Sequence, residues 1–315
     1  MPAFRHLLAA LLLCWGTGAV ASVGEVAITF DDLPALTILP DQSYVDYLTE
    51  TLLRKLRRNR VPAIGFVNEG KLDELDRPRQ ILDLRRWLDA GMELGNHTFS
   101  HESLNDVGVR AYVADIVKGE EVTRPMLSER HQSLRYFRPP YLETGRTPVI
   151  REAVENWLAH HGYQLVPVTI DADDWEFAEP YDDAIARRNK RLQQHIRAEY
   201  LAHTARHIAW SQRSARILFG RDIAQIMLLH ATRLNADTFD DLARLLRRAR
   251  LRPVSVEAAM RDPVYDQPST YAGTDGIDWL ERWASTRKIA LPDEGNDDPP
   301  ADIVAAYKRV DNDLN

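Results

Sequence analysis

The chain has 315 residues, of which 44% are hydrophobic and 28% charged, and its formal net charge is −7. This length suits one large domain or one domain with appendages, and the acidic balance argues against nucleic acid as a partner. The single cysteine, Cys14, excludes a disulfide framework and a metal site built from several thiolates.

The first predicted element is a secretory signal peptide over residues 1–21. The chain begins MPAFRHLLAALLLCWGTGAVAS, in which Arg5 precedes an apolar run and small residues precede a cleavage position after Ala21. The apolar run is too short to span a membrane, and no later stretch approaches the required length. We therefore expect an exported protein, periplasmic or secreted, without stable membrane insertion, that loses Cys14 on cleavage.

Short apolar runs then alternate with amphipathic stretches over residues 22–262. The predicted strands are EVAITF, AIGFVN, MELGNH, RYFRPP, LVPVTID, AQIMLLHA and RPVSVEA. The predicted helices lie near residues 43–59, 78–90, 106–129, 147–161, 183–216 and 238–249. This alternation predicts an α/β fold, a distorted (β/α) barrel of seven parallel strands, rather than an open sheet. No glycine-rich loop follows the first strand, so a dinucleotide site is not expected.

Two segments depart from this alternation. Residues 183–216 form an arginine-rich helical pattern longer than the others, which predicts an inserted helix that packs over the barrel or forms a wall of the substrate groove. Residues 263–315 form a C-terminal extension with a helix in DGIDWLERWAS, followed by the acidic, proline-broken stretch PDEGNDDPP. The barrel domain is therefore predicted at residues 22–262.

Polar and ionisable side chains end five of the seven predicted strands. In a (β/α) barrel the carboxyl ends of the strands share one face, so these side chains are expected to meet there. They are Asp31 and Asp32 after the first strand, His97 and His101 after the third, Arg138 and Tyr141 after the fourth, Asp171, Asp174 and Trp175 after the fifth, and His230 at the end of the sixth.

One carboxylate and two imidazoles from neighbouring strand ends predict a metal site with open positions, as in catalytic sites. The spacing of His97 and His101 is expected to put both rings on one side of a helical turn. Without a thiolate, Zn²⁺ fits best by ligand type, and Co²⁺, Ni²⁺ and Mn²⁺ are the alternatives. One carboxylate of the Asp-Asp pair then binds the ion, and its neighbour stays free to act as a base.

Five stretches, ITFDDLP, GNHTFSH, FRPPY, IDADDW and LLH, resemble in this order the motifs of the polysaccharide deacetylases, the NodB-homology group known as carbohydrate esterase family 4. The resemblance covers about residues 24–260. It implies an enzyme that hydrolyses the acetamide of an N-acetylated amino sugar in an oligo- or polysaccharide. An amide or imide hydrolase of the same fold and an inactive carbohydrate-binding relative are the alternatives, and cleavage of O-acetyl esters stays open.

The resemblance also implies roles for the residues of the first three motifs. The metal ligands would be Asp32, His97 and His101. Asp31 would be the catalytic base, and Arg138 would orient it and, together with a bound dication, keep its pKa low. The main-chain N–H of Tyr141 would help to stabilise the oxyanion.

The last two motifs would supply the acid and the apolar pocket. His230 would be the general acid, and an aspartate of the fifth motif would tune it. Asp174 is the favoured partner, and Asp171 is the alternative. Trp175 and Leu228 would line the pocket for the acetyl methyl group.

The first motif departs from the family pattern at Leu33, where the family usually has glycine. Leucine is expected to narrow the space beside the catalytic pair. Together with the 183–216 helix and with Glu176 and Glu179 near the same rim, this predicts a walled site that prefers short acetylated oligosaccharides or a chain end. Leu33→Gly is then expected to improve activity on longer substrates.

Overall fold

The computed structural model describes residues 23–310, and its centre is a curled parallel sheet of seven strands. The strands are β1 (Gly24–Leu33), β2 (Ala63–Val67), β3 (Glu93–Asn96), β4 (Tyr136–Phe137), β5 (Gln164–Leu165), β6 (Gln225–His230) and β7 (Leu251–Val254). With helices packed outside this sheet, the predicted (β/α) barrel is confirmed in its distorted form. The predicted signal peptide lies outside the described residues.

β1 lies inside the sheet, whose order is β5-β4-β3-β2-β1-β6, with β7 paired to the first residues of β1. The chain after β5 returns to β6, where the N–H of Thr169 donates to the carbonyl of Ile226 at 2.9 Å. The predicted fifth strand LVPVTID forms a ladder only over 164–165, because Pro167 has no N–H to donate. The curl brings the carboxyl ends of the strands around one mouth.

Eleven α-helices surround the sheet within residues 23–310. They are α1 (Gln42–Asn59), α2 (Arg77–Asp89), α3 (Leu104–Lys118), α4 (Thr123–Ser128), α5 (Pro148–His160), α6 (Asp174–Ala186), α7 (Lys190–Phe219), α8 (Arg233–Arg248), α9 (Val256–Ala259), α10 (Trp279–Arg287) and α11 (Ala301–Tyr307). In the largest core cluster, Phe30 of β1 contacts Trp87 of α2 and Phe239 of α8, with ring centroids 5.5 and 6.3 Å apart. None of the described helices combines the length and apolar character needed to cross a bilayer.

Two predicted helices are each divided in the structure. The pattern at 106–129 forms α3 and α4, and the first of these ends at Gly119. The pattern at 183–216 is divided between the end of α6 and α7. The second of these begins at Lys190, because the side chain of Asn189 accepts the N–H of Leu192 at 3.1 Å and so caps the start of α7. It continues to Phe219 and ends at Gly220, whose φ is 69°.

The C-terminal extension packs against the barrel. The N–H of Trp279 donates to the carbonyl of Val168 at 2.8 Å. The buried Arg282 donates to the Oγ1 of Thr144 and to the carbonyl of Leu142, each at 2.6 Å. The acidic stretch is also held, since the indole N–H of Trp210 in α7 donates to the carbonyl of residue 292 at 2.7 Å. The domain boundary at residue 262 stays a prediction, but the extension reaches the mouth of the barrel.

Candidate active site

A cavity of about 480 Å³ opens at the carboxyl ends of the strands. Nine of the eleven side chains that the sequence indicated line it. They are Asp31, Asp32, His97, His101, Tyr141, Asp171, Trp175, Leu228 and His230. The other two, Arg138 and Asp174, are buried and contact Asp31 and His230, respectively.

Asp32, His97 and His101 converge on one point, with their ligand atoms within 4.8 Å of one another. The Nε2 atoms of His97 and His101 lie 3.7 and 3.5 Å from the Oδ1 of Asp32. This Oδ1 is buried and accepts no hydrogen bond. A buried carboxylate oxygen without a donor, facing two imidazole nitrogens, fits a divalent cation.

The imidazoles are held in the form that binds a cation. The Nδ1 of His97 lies 2.7 Å from the carbonyl oxygen of Arg138, so Nδ1 carries the proton and Nε2 keeps its lone pair on the side of Asp32. Burial lowers the pKa of His97 and of His101 to about 4, although Asp32 opposes it. Burial disfavours the charged form of Asp32, but His101, Lys71 and His97 together lower its pKa.

The two histidines meet through a bend rather than through the predicted helical turn. Residues 97–103 are not helical, and Thr98 and His101 have φ of 66° and 56°. The Oδ1 of Asn96 accepts the N–H of Thr98 at 2.7 Å, and the N–H of His101 donates to the Oγ1 of Thr98 at 3.1 Å. Asp32 also has a left-handed φ, of 60°. Such conformations are costly for side chains other than glycine and are typical of functional sites.

Asp31 is held by the fully buried Arg138. The Nη1 of Arg138 lies 3.3 and 3.2 Å from the two carboxylate oxygens, and its Nε and Nη2 donate to the carbonyl of Val166 and the hydroxyl of Thr29. From the protein groups alone, burial outweighs Arg138 and raises the pKa of Asp31 to about 6. Arg138 therefore does not by itself keep this pKa low, and the expected depression requires the charge of a bound cation as well.

His230 is held by Asp174 rather than by Asp171. Its Nδ1 lies 2.7 Å from the Oδ1 of Asp174, whose Oδ2 accepts the main-chain N–H of His230 at 2.8 Å. Burial alone would lower the pKa of His230, but Asp174, with further contributions from the charges of Asp32 and Asp31, outweighs burial and raises it to about 9. Asp171 instead accepts the N–H of Asp173 at 3.2 Å, and burial together with the charges of Asp173 and Asp174 raises its pKa to about 7.

Five further residues line the cavity that sequence reasoning missed. They are Leu36, Leu142, Asp173, Gly276 and Tyr307. The ring of Tyr307 meets that of Trp175 edge to face at 4.9 Å. A Cβ at Gly276 would lie 1.6 Å from the carbonyl oxygen of Tyr141, so only glycine fits there. Gly276 and Tyr307 come from the C-terminal extension, and the only signal for either was the turn-forming DG pair at 275–276.

Leu33 does not line the cavity, and the expected narrowing of the groove by this residue is wrong. Its side chain is fully buried and packs over Gly65, where an added Cβ would lie 2.3 Å from a methyl carbon of Leu33. The side chain belongs to the main core cluster, with Phe30 and Val67. The left-handed backbone at Asp32 and the register shift between Phe30 and Leu33 interrupt the alternation of side chains along β1, so Asp31 and Asp32 both face the cavity while Leu33 is turned into the core.

Shortening Leu33 is expected to affect stability and not the preference for substrate length. Leu33→Ala should lower the free energy of unfolding by about 2–5 kcal/mol, because it leaves a cavity over Gly65. Urea denaturation measures this loss, and relative rates on short and long acetylated substrates measure the preference. Faster cleavage of long substrates at unchanged stability would contradict the packing seen here.

Comparisons with known sequences agree with the motifs. The family model for polysaccharide deacetylase matches residues 20–166. A peptidoglycan-N-acetylglucosamine deacetylase from Bacillus cereus is 29% identical over 155 residues, which are 48% of this chain and 46% of that protein. A chitooligosaccharide deacetylase from Sinorhizobium fredii is 31% identical over 170 residues, 54% of this chain and 66% of that protein. The chain thus spans about half to two thirds of the length of these relatives.

Comparisons with solved structures agree with the fold. The chitin deacetylase from the fungal pathogen Colletotrichum lindemuthianum has a TM-score of 0.53 and 23% identity, covering 76% of this chain and 88% of that chain. A polysaccharide deacetylase from Bacillus cereus has a TM-score of 0.50 and 19% identity, covering 74% of this chain and 91% of that chain. The family model matched over residues 20–166, the curated deacetylase relatives and the curled parallel barrel together support a polysaccharide deacetylase domain of the NodB-homology group, carbohydrate esterase family 4, in this chain.

Proposed function

We propose that this protein is an exported, metal-dependent N-deacetylase that hydrolyses the acetamide of an N-acetylated amino sugar in an oligo- or polysaccharide. One observation carries the proposal: a candidate metal site, a buried aspartate with its arginine, and a histidine with its aspartate meet at a single cavity. The relatives are deacetylases of peptidoglycan, chitooligosaccharide and chitin, which supports an acetylated amino sugar as substrate. Export rests on the signal-peptide pattern of residues 1–21.

Asp32, His97 and His101 would hold the cation. One carboxylate and two neutral imidazoles suit Zn²⁺ best, with Co²⁺, Ni²⁺ and Mn²⁺ as alternatives. When bound, the ion would polarise the amide carbonyl and stabilise the negative charge that develops on its oxygen.

Asp31 and His230 would handle the protons on opposite sides of the scissile bond. Asp31, oriented by Arg138, would take a proton from the attacking water. An amine leaves readily only when it is protonated, and His230 would supply that proton from Nε2, because its Nδ1 is engaged by Asp174. The main-chain N–H of Tyr141 would help to stabilise the oxyanion.

The apolar side of the cavity suits the acetyl methyl group, and the C-terminal extension limits the space for sugar. Leu228 packs with Leu142 and Val168 in a small apolar cluster at the cavity. Trp175 and Tyr307, whose rings meet edge to face at 4.9 Å, form an aromatic wall of the cavity. This wall, rather than Leu33, supports a preference for short acetylated oligosaccharides or a chain end.

Acetate release tests the function and the metal together. Acetylated chitooligosaccharides, peptidoglycan, acetylated exopolysaccharide and a simple non-sugar amide are each incubated with the purified chain, before and after chelation. We expect release from an amino-sugar substrate, a loss of at least about a hundredfold after chelation, and recovery with added Zn²⁺. Full activity after complete removal of metal would contradict the metal dependence, and release only from the simple amide would favour the non-sugar alternative.

The pH profile reports on His230. Because Asp174 raises the pKa of His230 against burial, the protonated acid persists above the usual range of a histidine, and kcat/KM is expected to fall on the alkaline side of neutrality. Asp174→Asn removes the negative charge, so the alkaline limb should move to lower pH by about one unit or more. If the limb stays in place in this variant, another group controls it.

A further inference from the structure

A second cluster of metal-binding side chains lies beside the cavity, on the inserted helix α7. Its members are Asp173, His203 and His207, and their ligand atoms lie within 4.8 Å of one another. The two histidines are four residues apart on the buried face of α7, and their ring centroids are 4.2 Å apart. Asp173 reaches them from the position that directly precedes α6.

Among the three side chains, His203 has the environment that most strongly indicates a bound ligand. It is fully buried, and its Nε2 has no hydrogen-bond partner. The Oδ2 of Asp173 lies 3.8 Å from this nitrogen, beyond hydrogen-bond distance. A cation bound to both atoms at about 2.0–2.2 Å would fit between them. Phe177 packs at 5.3 Å from the imidazole ring, measured between centroids, so the ring has little freedom to turn away.

His207 brings the C-terminal extension to the same cluster. Its Nε2 lies 3.2 Å from the carbonyl oxygen of Asp297. Carbonyl oxygens are themselves ligands of divalent cations, so this atom adds an oxygen next to the three side chains.

The carboxylate of Asp173 is not neutralised by a basic side chain. Within residues 23–310, no lysine or arginine nitrogen lies within 4.0 Å of it, and the basic group within that distance is the imidazole of His203. A buried imidazole nitrogen without a partner and a carboxylate without a cation thus face each other.

We propose that Asp173, His203 and His207 bind a second divalent transition-metal ion, for which Zn²⁺ is the best match to one carboxylate and two imidazoles. Because Asp173 directly precedes Asp174 and Trp175, the ion would fix the segment that orients His230 and lines the cavity. Through Asp297 it would also tie the C-terminal extension to α7. This site does not depend on the deacetylase proposal, since it shares no ligand with the candidate metal site of Asp32, His97 and His101.

The contact between Arg206 and His203 provides a test of cation binding at this site. Its Nη2 lies 3.3 Å from the Nδ1 of His203 and donates to it. A ring that binds a cation through Nε2 carries its proton on Nδ1, so this contact must break on binding. Arg206 is exposed and can turn into solvent. Arg206→Ala is therefore expected to tighten binding at the second site.

Metal stoichiometry of the full chain tests the proposal. Protein saturated with Zn²⁺ and freed of excess metal should hold two ions per chain by mass spectrometry. Asp173→Asn and His207→Gln should each hold one, and so should Asp32→Asn, which removes a ligand of the other site. His195→Gln is the matched control on α7, because His195 is exposed and contacts a single carboxylate, that of Asp302 at 2.7 Å. This control should still hold two ions.

Calorimetric titration with Zn²⁺ in the Asp32→Asn background isolates the second site. Adding Asp173→Asn should weaken the remaining affinity at least about tenfold, and adding Arg206→Ala should strengthen it. Asp173 is one-third exposed, so its replacement by asparagine is not expected to prevent folding even if replacements of the buried His203 do. One ion in the unaltered chain, lost in Asp32→Asn and retained in Asp173→Asn, would overturn the second site and leave the deacetylase proposal intact. Two ions in Asp173→Asn would also overturn it.

Discussion

Asp31→Asn is expected to lower kcat for acetate release by about a hundred- to ten-thousandfold while leaving the content of bound Zn²⁺ unchanged. Asparagine keeps the shape of the side chain but cannot take a proton from water. The adjacent metal ligands remain in place, because Asp32, His97 and His101 do not depend on the carboxylate of Asp31 for their mutual contacts. Steady-state kinetics and metal analysis of the same preparation measure both quantities.

A substitution of Arg138 gives a second variant to compare with Asp31→Asn. Arg138→Met removes the guanidinium that orients Asp31 but keeps a buried side chain of similar length. We expect a smaller loss of kcat than in Asp31→Asn, together with lower stability, because the carboxylate then loses its buried partner. Near-normal kcat in Asp31→Asn at full metal content would show that another group acts as the base.

His230→Ala is expected to slow amide cleavage by about a hundred- to ten-thousandfold and to change cleavage of an activated aryl acetate by less than about tenfold. The amine must be protonated to leave, whereas an aryl oxide leaves without a proton. The comparison therefore separates loss of the acid from a general disturbance of the cavity. Equal losses on the two substrates would contradict the assignment of His230.

Separate substitutions of Asp174 and Asp171 test which of these two aspartates is the partner of His230. Asp174→Asn should reproduce part of the loss on the amide, since Asp174 contacts both the ring and the main chain of His230. Asp171→Asn should have a smaller effect, because Asp171 contacts the main chain of Asp173 instead. The reverse order would make Asp171 the partner.

The sequence alone was enough to predict the barrel and most of the cavity. Apolar strands alternating with amphipathic helices specify parallel βαβ units, and in such units the strand ends share one face. Residues that end strands, such as Asp31, His97 and His230, therefore meet whatever the details of the packing. These predictions depend on local patterns and on one topological rule.

The remaining features depended on contacts between distant parts of the chain. Periodicity does not state which of Asp171 and Asp174 turns toward His230, nor that Leu33 packs over Gly65 instead of facing substrate. It likewise gave no sign that Tyr307 returns from the extension to meet Trp175, more than a hundred residues earlier in the chain. The four-residue spacing of His203 and His207 is visible in the sequence, but the carboxylate that faces them lies before another helix. A local pattern determines which side chains share a face of one element, whereas burial and side-chain packing decide which faces meet.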